Sequence, residues 1–421
     1  MKGSVRKRGK TWSYCFDMGT IDGKRQRKEK GGFDTKKEAE AALSAAITEY
    51  NNSGQLFTPS EITVSDYLDL WFQQYVKMNL KYNTQTDYEI IIRCHLKPAF
   101  GKYRLIALSP ATVQEYINGL KLKGFARATV VNILCVLSGS LNYAIEPLKY
   151  IQYNPCDRVK MPKYENTKQE QNVFIPPEDM QKVFDRFPES SPFYIPTMIG
   201  YHTGLRISEC FGLTWDDIDL DNQTITVNHQ ILKRNIENVG TGERSRKKTS
   251  LWYFESVKTP SSNRVVTFDG ILADKLEEAR RQKKVNRLKY GSNFTEHYLQ
   301  PEKNEKGDMI RRVLPVPRFI RVDLPAADLV CTKADGSILS PDSYKYVCRV
   351  VHRELHMPFN FHSLRHTHAT MLIAAGANIK DVQERLGHAD IETTMNKYVH
   401  NTEDIKKATA DLFEQIIRKQ A

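Results

Sequence analysis

Two stretches in the second half of this 421-residue chain contain basic residues that could act on an anionic substrate, and in one of them an acidic residue can hold the basic one. In TGLRISE, Arg206 and Glu209 are three residues apart, so they share one face of a predicted helix and can form an ion pair. A buried arginine held in this way keeps its other donors available for a second anion. In ESVKTPSS, Lys258 follows a predicted strand and can swing into a cleft to deliver a proton. Taken alone, these patterns are more often a surface ion pair and a solvated lysine.

Three further polar signals follow in the same part of the chain. In FHSLRHTH, His362 and Arg365 lie side by side at the start of a predicted helix, off its apolar stripe. Gly387 caps a short predicted helix, so His388 projects from a tight turn. Tyr398 follows ten residues later on another short predicted helix, where a tyrosine is normally a core aromatic. The ordered series Arg, Lys, His-x-x-Arg, Gly-His, Tyr is nevertheless far more specific than any of its members alone.

In this ordered set the chain resembles the tyrosine recombinases, which are also called phage-type integrases. The matching stretches are TGLRISE, the Lys of ESVKTPSS, HSLRHTHA, the LGH of ERLGHAD and the Tyr of TTMNKYVH. All six active-site positions of the family have a matching residue, and these are Arg206, Lys258, His362, Arg365, His388 and Tyr398. The resemblance is strongest over residues 173–412 and looser over the rest of the chain.

The resemblance implies DNA strand exchange through a 3′-phosphotyrosine formed by Tyr398, with no metal, ATP or other cofactor. Covalent catalysis of this kind conserves the energy of the phosphodiester bond. Arg206 and Arg365 are then expected to grip the non-bridging oxygens of the scissile phosphate. Glu209 is expected to orient Arg206.

Proton transfer is expected to involve the remaining three members of the set. Lys258 acts as general acid for the departing 5′-oxygen, and His362 assists proton transfer at Tyr398. His388 donates a hydrogen bond to a non-bridging oxygen. The sequence leaves open which of Lys258, His362 and His388 dominates proton transfer.

A small basic module is predicted at the N-terminus, in residues 1–55. Aromatic residues alternate with polar ones, Asp22-Gly23 signals a hairpin, and a helical pattern follows, which together predict a small β-sheet braced by one helix. Basic residues interleave with the aromatics, and this favours a DNA-binding sheet over a solvated tail. The resemblance makes it an arm-site-binding module, with candidate DNA contacts at Lys24, Arg25, Arg27 and Lys28.

Two larger domains are predicted to follow, so the fold class is multidomain and mainly α with small β-sheets. The first, 63–157, is a helical domain that the resemblance makes core-binding, with helices at 65–80, 84–96, 110–122 and 127–145. The second, 173–421, is a mixed α/β catalytic domain.

The catalytic domain carries four further expectations. Three strands of one meander are predicted at 223–230, 251–257 and 264–268. The segments 233–249 and 290–325 are predicted to be surface-loop insertions without a family motif. An apolar stripe over 403–418 predicts a last helix, which packs on its own domain or, as the resemblance favours, docks on a neighbouring protomer.

Composition is consistent with this assignment. Lys plus Arg number 62 against 50 Asp plus Glu, a formal net charge of +12 that favours an anionic partner, although a merely basic protein has the same balance. Seven single cysteines without a CxxC pair argue against a disulfide framework or a cysteine zinc site and favour a reducing cytosol. The N-terminus lacks a signal-peptide pattern and residues 130–145 are interrupted by polar side chains, so we predict a cytoplasmic protein of bacteria without a membrane span.

The expected partners are double-stranded DNA at core-type and arm-type sites, and other copies of the chain in a homotetramer on DNA. A directionality factor or a host DNA-bending protein is a further expected partner.

Three alternative functions remain at this point. One is a zinc-dependent nuclease built on the i,i+4 pair His362 and His366, but it leaves Arg206, Lys258 and Tyr398 unused. Another is a non-catalytic DNA-binding regulator, which has no reason to keep six catalytic residues. A type IB topoisomerase uses the same nucleophile, but the basic module and the helical domain favour site-specific integration.

Overall fold

The computed structural model describes residues 3–21, 24–53, 61–164, 173–237, 248–257, 259–304 and 306–392. The chain divides into two compact units, Met1–Glu165 and Asn166–Ala421. Helices dominate both units, and the strands within the described ranges form three small antiparallel sheets. The predicted fold class, mainly α with small β-sheets, is therefore confirmed. The three-domain division at 1–55, 63–157 and 173–421 stays a prediction.

The N-terminal module is a three-stranded sheet covered by one helix. The strands β1 (Gly3–Arg8), β2 (Thr11–Ile21) and β3 (Lys24–Phe33) are antiparallel in that order, and α1 (Lys36–Ser53) follows. Tyr14 and Phe16 lie two residues apart on one face of β2 and are buried with Ala46 of α1. The alternation in the sequence therefore marks a sheet with one covered face, as predicted.

The helical domain follows the predicted pattern closely. Its α-helices are α2 (Val64–Trp71), α3 (Lys77–Asn79), α4 (Tyr82–Ile91), α5 (Lys97–Phe100), α6 (Pro110–Leu122) and α7 (Arg127–Ile145). The π-helical turns Phe72–Val76 and Ile92–Leu96 join α2 to α3 and α4 to α5. Ser109 caps α6 because its hydroxyl accepts a hydrogen bond from the Thr112 amide at 3.2 Å, and Pro110 fits the first turn.

Helix α7 is long and apolar enough to cross a membrane by length and composition alone. Its buried residues include Val130, Ile133, Leu137 and Leu141, which belong to the hydrophobic core of the helical domain. This burial is typical of a core helix, and the sequence predicted it from the interrupting polar residues.

The second unit contains seven further helices in its described ranges. They are α8 (Pro177–Arg186), α9 (Tyr194–Thr203), α10 (Ile207–Cys210), α11 (Gly270–Tyr290), α12 (Lys345–Glu354), α13 (Phe361–Ala374) and α14 (Ile379–Leu386). Helix α13 packs on α9 so closely that a Cβ added at Gly200 would lie 2.8 Å from the Phe361 ring. This packing fixes the start of α13 against the end of α9, where the candidate site lies.

The strands of the second unit form two sheets rather than one meander. They are β4 (Ile218–Asp219), β5 (Thr224–Val227), β6 (His229–Glu237), β7 (Lys248–Ser256), β8 (Arg264–Thr267), β9 (Thr295–Lys303) and β10 (Met309–Pro317). One sheet has the order β4-β5-β8 and the other the order β6-β7-β10-β9. The predicted meander is wrong because β5 pairs directly with β8, while β6 and β7 belong to the other sheet.

Both predicted loop insertions contain strands. The segment 233–249 includes the ends of the β6–β7 hairpin, and 290–325 includes the β9–β10 hairpin. The prediction failed because prolines and charges weaken the strand signal, and these residues sit in strands only through their cross-strand partners. Arg234 on β6, for example, forms an ion pair with Glu255 on β7, and Pro315 on β10 lies opposite His297 on β9.

Candidate active site

The first cation of the site is placed by a sharp chain reversal between two helices. Helix α9 ends at Gly204, which has a φ of 67°, and Arg206 immediately precedes α10. A side chain is disfavoured at Gly204 by this left-handed backbone and by the Leu386 side chain, which would lie 2.9 Å from an added Cβ. Arg206 Nη1 donates to Glu209 Oε1 at 2.7 Å, and the Arg206 amide donates to Glu209 Oε2 at 3.0 Å. The predicted Arg206–Glu209 pair is thus present.

Glu209 binds two arginines at once. Arg264 Nη2 donates to Glu209 Oε2 at 3.1 Å, the same oxygen that accepts from the Arg206 amide. Burial favours a raised pKa for the Glu209 carboxyl, but the charges of Arg264 and Arg206 and their hydrogen bonds outweigh it, so the pKa lies below its usual value. The carboxylate therefore stays ionised and holds two cations, which leaves the group of three with net positive charge.

Three arginine side chains donate hydrogen bonds to three consecutive backbone carbonyl groups at the end of helix α14. Arg264 Nε donates to the carbonyl of Arg385 at 2.7 Å, Arg365 Nη2 to that of Leu386 at 2.6 Å, and Arg206 Nη2 to that of Gly387 at 2.9 Å. Carbonyl groups at a helix C-terminus lack partners within the helix and carry partial negative charge. The three guanidinium groups satisfy them, which brings Arg206 and Arg365 together as the sequence predicted.

Gly387 makes this arrangement possible. Its φ of 66° ends α14 in the left-handed conformation, as predicted for a helix-capping glycine. An added Cβ there would lie 3.1 Å from the Ser261 carbonyl oxygen and from Ser262 Cα. The glycine therefore lets the segment after β7 approach the end of α14.

Arg365 lies in the buried first turns of α13. That helix begins after Asn360, whose side chain accepts from the Ser363 amide at 2.9 Å, while Ser363 Oγ accepts from the Asn360 amide at 3.2 Å. Arg365 is 1% exposed, and Nη1 donates to the Gly204 carbonyl at 2.8 Å. One guanidinium thus ties the end of α9 to the end of α14.

The two candidate histidines differ in exposure. His362 is exposed on the first turn of α13, with its ring centroid 4.5 Å from that of buried His366. His388 is half-buried, and both its backbone amide and its backbone carbonyl form hydrogen bonds with Gln383. The His388 amide donates to the Gln383 carbonyl at 3.1 Å, and Gln383 Nε2 donates to the His388 carbonyl at 3.0 Å. The turn that carries His388 is therefore rigidly held, as its sequence predicted.

A third histidine, His368, hydrogen-bonds to α9 and to α14, whose ends hold the arginine cluster of Arg206, Arg264 and Arg365. His368 Nδ1 bonds the Tyr201 carbonyl at 3.0 Å, and Arg385 Nε donates to His368 Nε2 at 2.9 Å. Burial and the neighbouring Arg385 lower the pKa of His368 to about 3, so the ring is neutral at pH 7. The neutral ring therefore carries its proton on Nδ1 and accepts at Nε2. Through these hydrogen bonds His368 and Arg385 link the end of α14 to α9.

Lys258 and Tyr398 lie outside the described residues, so their predicted places in the site remain predictions. The chain next to Lys258 does contact the cluster. Arg206 Nη1 donates to Ser262 Oγ at 3.0 Å, and Thr259 Oγ1 lies 2.9 Å from the same oxygen.

The predicted arm-DNA contacts lie on β3, which contains Lys24, Arg25, Arg27 and Lys28. Arg27 is exposed and Lys28 half-buried. Within the described ranges no group of three or more histidine, cysteine or acidic side chains could hold a metal ion.

Four contributors to the site were missed by the sequence analysis, namely Arg264, His368, Arg385 and Gln383. Arg264 stands in SSNRVV, close after Lys258, and a basic residue opening a strand beside a proposed catalytic lysine was the available signal. For Arg385 and Gln383, the only signal in the sequence was that they shortly precede Gly387 and His388.

Comparisons with protein-family profiles match most of the chain. The profile described as the phage integrase family matches residues 175–314 and 318–404. The profile of a phage integrase N-terminal SAM-like domain matches residues 63–121, and that of an arm DNA-binding domain matches residues 4–50.

Individual proteins and structures show the same likeness. A tyrosine recombinase XerC-like protein of Caldanaerobacter subterraneus subsp. tengcongensis is 26% identical over 386 residues, which cover 90% of this chain and 89% of that protein. The structure of the Tn1549 transposon integrase with circular intermediate DNA has a TM-score of 0.61 at 22% identity, covering 83% of this chain and 99% of that one. A lambda integrase tetramer bound to a Holliday junction has a TM-score of 0.52 at 14% identity, covering 95% and 96%.

The structural similarities establish the shared fold, and the profile match over the region that contains the arginine cluster establishes the family. The chain belongs to the phage integrase family and is a site-specific DNA recombinase of the tyrosine-recombinase type.

Proposed function

We propose that the chain cuts and rejoins DNA strands through a covalent 3′-phosphotyrosine on Tyr398. The hydroxyl oxygen of Tyr398 attacks the scissile phosphorus, the bond from phosphorus to the 5′-oxygen breaks, and a 5′-hydroxyl leaves. A 5′-hydroxyl from a partner duplex then reverses the step. The observation that carries this proposal is the anchoring of Arg206 and Arg365 on consecutive carbonyl groups beside His388.

The arginine pair serves as the phosphate clamp. Arg206 has a side chain 26% exposed, so an anion from solvent can reach its guanidinium while Glu209 holds it from behind. Arg365 lies deeper, and its fixed charge stabilises negative charge that builds on the non-bridging oxygens. Preorganised cations of this kind need no rearrangement at the moment of reaction, so they stabilise the transition state more than bulk water does.

Proton transfer falls to Lys258, His362 and His388. Lys258 protonates the departing 5′-oxygen, since an alkoxide is a poor leaving group. His362 is exposed on α13 and accepts the proton of Tyr398, whose ordinary pKa of about 10 keeps it protonated at neutral pH. His388, on its fixed turn, donates to a non-bridging oxygen. The contact between Arg206 and Ser262, four residues after Lys258, supports a place for Lys258 at the same phosphate.

The domains divide the DNA contacts between them. Residues 1–55 bind arm-type sites through the basic strand β3, with Lys24, Arg25, Arg27 and Lys28 at the phosphates. Residues 63–157 bind core-type sites, and residues 173–421 carry the chemistry. The matches to an arm DNA-binding domain and to a SAM-like integrase domain support this division.

Four copies of the chain assemble on two DNA duplexes. The similar lambda integrase is a tetramer on a Holliday junction, which supports the same assembly here. The predicted helix 403–418, which lies outside the described residues, docks on a neighbouring protomer. If a chain ending at residue 402 still formed tetramers and recombined cooperatively, this docking would be excluded.

The DNA substrate is the end of a mobile element or prophage, which is integrated, excised or both in the bacterial cytoplasm. The likeness to a transposon integrase bound to circular intermediate DNA supports a mobile-element substrate. A directionality factor or a host DNA-bending protein assists the choice between integration and excision.

Sequencing the trapped DNA tests this function directly. The full chain is incubated with genomic DNA of its source, denatured, and the DNA joined to the protein is sequenced. We expect one discrete crossover sequence attached through its 3′ end, and activity that persists in EDTA. Adducts at arbitrary sequences would indicate a topoisomerase, and zinc-dependent cleavage without adducts would indicate a nuclease.

A further inference from the structure

A cavity of about 340 Å³ lies in the second unit, between helix α11, strand β9 and residues 326–328. None of its lining residues belongs to the set proposed for strand cleavage. The lining residues are Trp215, Arg280, Lys283, Lys284, Arg287, Phe294, Thr295, Glu296, His297, Tyr298, Ala326, Ala327 and Asp328. Its volume falls at the lower end of the range of small-molecule sites, about 300–1,000 Å³.

Two polar side chains that line the cavity have a buried ring nitrogen without a hydrogen-bond partner among the described residues. They are His297, through Nε2, and Trp215, through Nε1. His297 is 5% exposed and Trp215 is 4% exposed, so bulk water does not compensate either atom. A buried polar atom of this kind costs free energy unless something binds it. Both nitrogens are covered by protein atoms, so the two rings meet a ligand only through the parts of their surface that line the cavity.

The imidazole of His297 is neutral at physiological pH. Burial and the nearby charge of Lys283 lower the pKa of His297 to about 4. A neutral imidazole has one nitrogen that donates and one that accepts, and the Trp215 indole donates only. Neither ring therefore adds a charge to this wall of the cavity.

Helix α11 turns one cationic face toward the cavity. Arg280, Lys283, Lys284 and Arg287 follow the i, i+3, i+4, i+7 spacing of a single helix face. Two of them are neutralised locally, because Lys283 pairs with Asp328 and Arg287 pairs with Glu296.

The other two cations, Arg280 and Lys284, are exposed and have no acidic partner in the described part of the chain. Arg280 lies over the Trp215 ring, with its guanidinium carbon 5.6 Å from the ring centroid. This end of the cavity is therefore suited to an anion, and the arginine is already positioned by the tryptophan.

Aromatic rings form much of the remaining wall. Trp215, Phe294 and Tyr298 line the cavity together with His297. Flat apolar walls of this kind accept a planar ring, while polar groups at the rim fix its orientation. The site thus combines a place for a planar heterocycle with a place for an anion.

We infer that this cavity binds a single nucleotide, with its phosphate at Arg280 and Lys284 and its base against the aromatic wall near Trp215 and His297. Two sources supply this chemistry, a free mononucleotide or one nucleotide of a DNA strand.

Binding experiments on the full-length chain test the inference. Isothermal titration with AMP, adenosine and ribose 5-phosphate separates the contributions of base and phosphate. AMP binds more tightly than either fragment, and Arg280→Ala and Lys284→Ala each weaken AMP binding about tenfold, as the loss of a charge-assisted hydrogen bond requires. The matched control is Lys289→Ala, which removes an exposed lysine of α11 that does not line the cavity, and it leaves AMP binding unchanged.

A single-stranded oligonucleotide distinguishes the two sources. If its affinity falls in Arg280→Ala and Lys284→Ala relative to Lys289→Ala, and an oligonucleotide that lacks bases does not show this loss, the nucleotide comes from a strand and the inference stands. A loss of the same size for the oligonucleotide without bases, or measurable and equal binding of ribose 5-phosphate and AMP, overturns it, since the base is then not recognised. Binding of AMP and oligonucleotide that is the same in all three variants also overturns it.

Discussion

Arg206 and Arg365 donate to neighbouring carbonyl groups, those of Gly387 and Leu386, at 2.9 and 2.6 Å. Two side chains 159 positions apart in sequence are thus held by one backbone turn at the end of α14. Because the carbonyl positions are fixed by the helix and by the left-handed Gly387, the spacing of the two guanidinium groups is set before DNA arrives. This relationship gives a structural reason for the Gly387-His388 pair in the proposed site, since the glycine positions the two arginines and the histidine directly follows it.

A substitution at Gly387 tests this role of the turn. Gly387→Ala forces a side chain into the left-handed region, at a cost of about 1–2 kcal/mol, and brings its Cβ against Ser261 and Ser262. We expect strand cleavage to fall about 100-fold, because a shift of about 1 Å at a reacting group has an effect of that size.

The matched control for that change is Gly376→Ala. Gly376 has a φ of 86°, so alanine is strained there too, but an added Cβ would meet nothing within 4 Å. Unfolding free energies from urea titration should fall in both variants, whereas single-turnover cleavage should collapse only in Gly387→Ala. Equal cleavage by the two variants would contradict the positioning role.

Arg264 is predicted to act on catalysis only through Glu209 and the end of α14. Arg264→Lys keeps the charge but loses the planar fork that contacts Glu209, Ser262 and Arg385, so stability should fall by about 1–3 kcal/mol. The cleavage rate should fall while affinity for duplex DNA stays within about twofold.

Arg186→Lys provides the control for Arg264→Lys. Arg186 also contacts a carboxylate, that of Glu354, through two nitrogens, but its side chain is 38% exposed. An exposed pair of this kind contributes only about 0–1 kcal/mol, so cleavage and stability should be nearly unchanged. A DNA-binding defect in Arg264→Lys as large as its cleavage defect would show that Arg264 contacts DNA directly.

The free energy of unfolding should decrease below neutral pH because His368 is buried in its neutral form. The pKa of His368 is lowered to about 3, whereas an unfolded histidine titrates near 6.5, so the unfolded chain binds more protons between these values. The contribution of His368 is complete above pH 6.5 and is lost progressively as pH falls toward 3. At pH 5 the loss amounts to about 2 kcal/mol, from 1.36 kcal/mol per pH unit.

His368→Gln isolates this contribution because glutamine can accept the Arg385 hydrogen bond but does not titrate. Urea unfolding at pH 7.5 and pH 5 should show a smaller pH effect in His368→Gln than in the unsubstituted chain. His352→Gln, which changes an exposed histidine of α12, should keep the full pH effect. Identical pH effects in all three proteins would show that His368 does not titrate as described.

Basic residues of β3 should contribute a salt-dependent part of DNA binding. Replacing Lys24, Arg25, Arg27 and Lys28 with alanine should weaken binding to arm-type DNA and reduce the slope of log K against log salt concentration by up to about 3–4. Binding and cleavage of core-type DNA should persist. If the slope of log K against log salt concentration were unchanged on every DNA tested, β3 would not be part of the arm-site interface.

Local signals made much of the fold and site predictable. Helix α6 was predicted at its observed bounds because Ser109 and Pro110 mark its start, and the turn at His388 because Gly387 caps α14. The Arg206–Glu209 pair was predictable because its members are three positions apart on one chain segment. Each of these features depends on residues within one or two helical turns.

Features that depend on distant partners were not predictable. Strands β9 and β10 contain prolines and charges, and they are strands because they pair with each other and β10 also pairs with β7. Arg264 looked like an ordinary strand residue because its carboxylate partner lies 55 positions earlier and its carbonyl partner 121 positions later. The separation of β5 and β8 from β6 and β7 likewise follows from tertiary pairing.

The most direct test of the account is the identity of the side chain that becomes joined to DNA. A nicked substrate, which loses a short fragment after cleavage and so cannot be religated, is incubated with the full-length chain and with Tyr398→Phe. Proteolysis and mass spectrometry should then find a nucleotide on the peptide that contains Tyr398, and the Tyr398→Phe protein should form no adduct while still binding the DNA. An adduct of equal yield in Tyr398→Phe, or a nucleotide attached to another residue, would contradict the account.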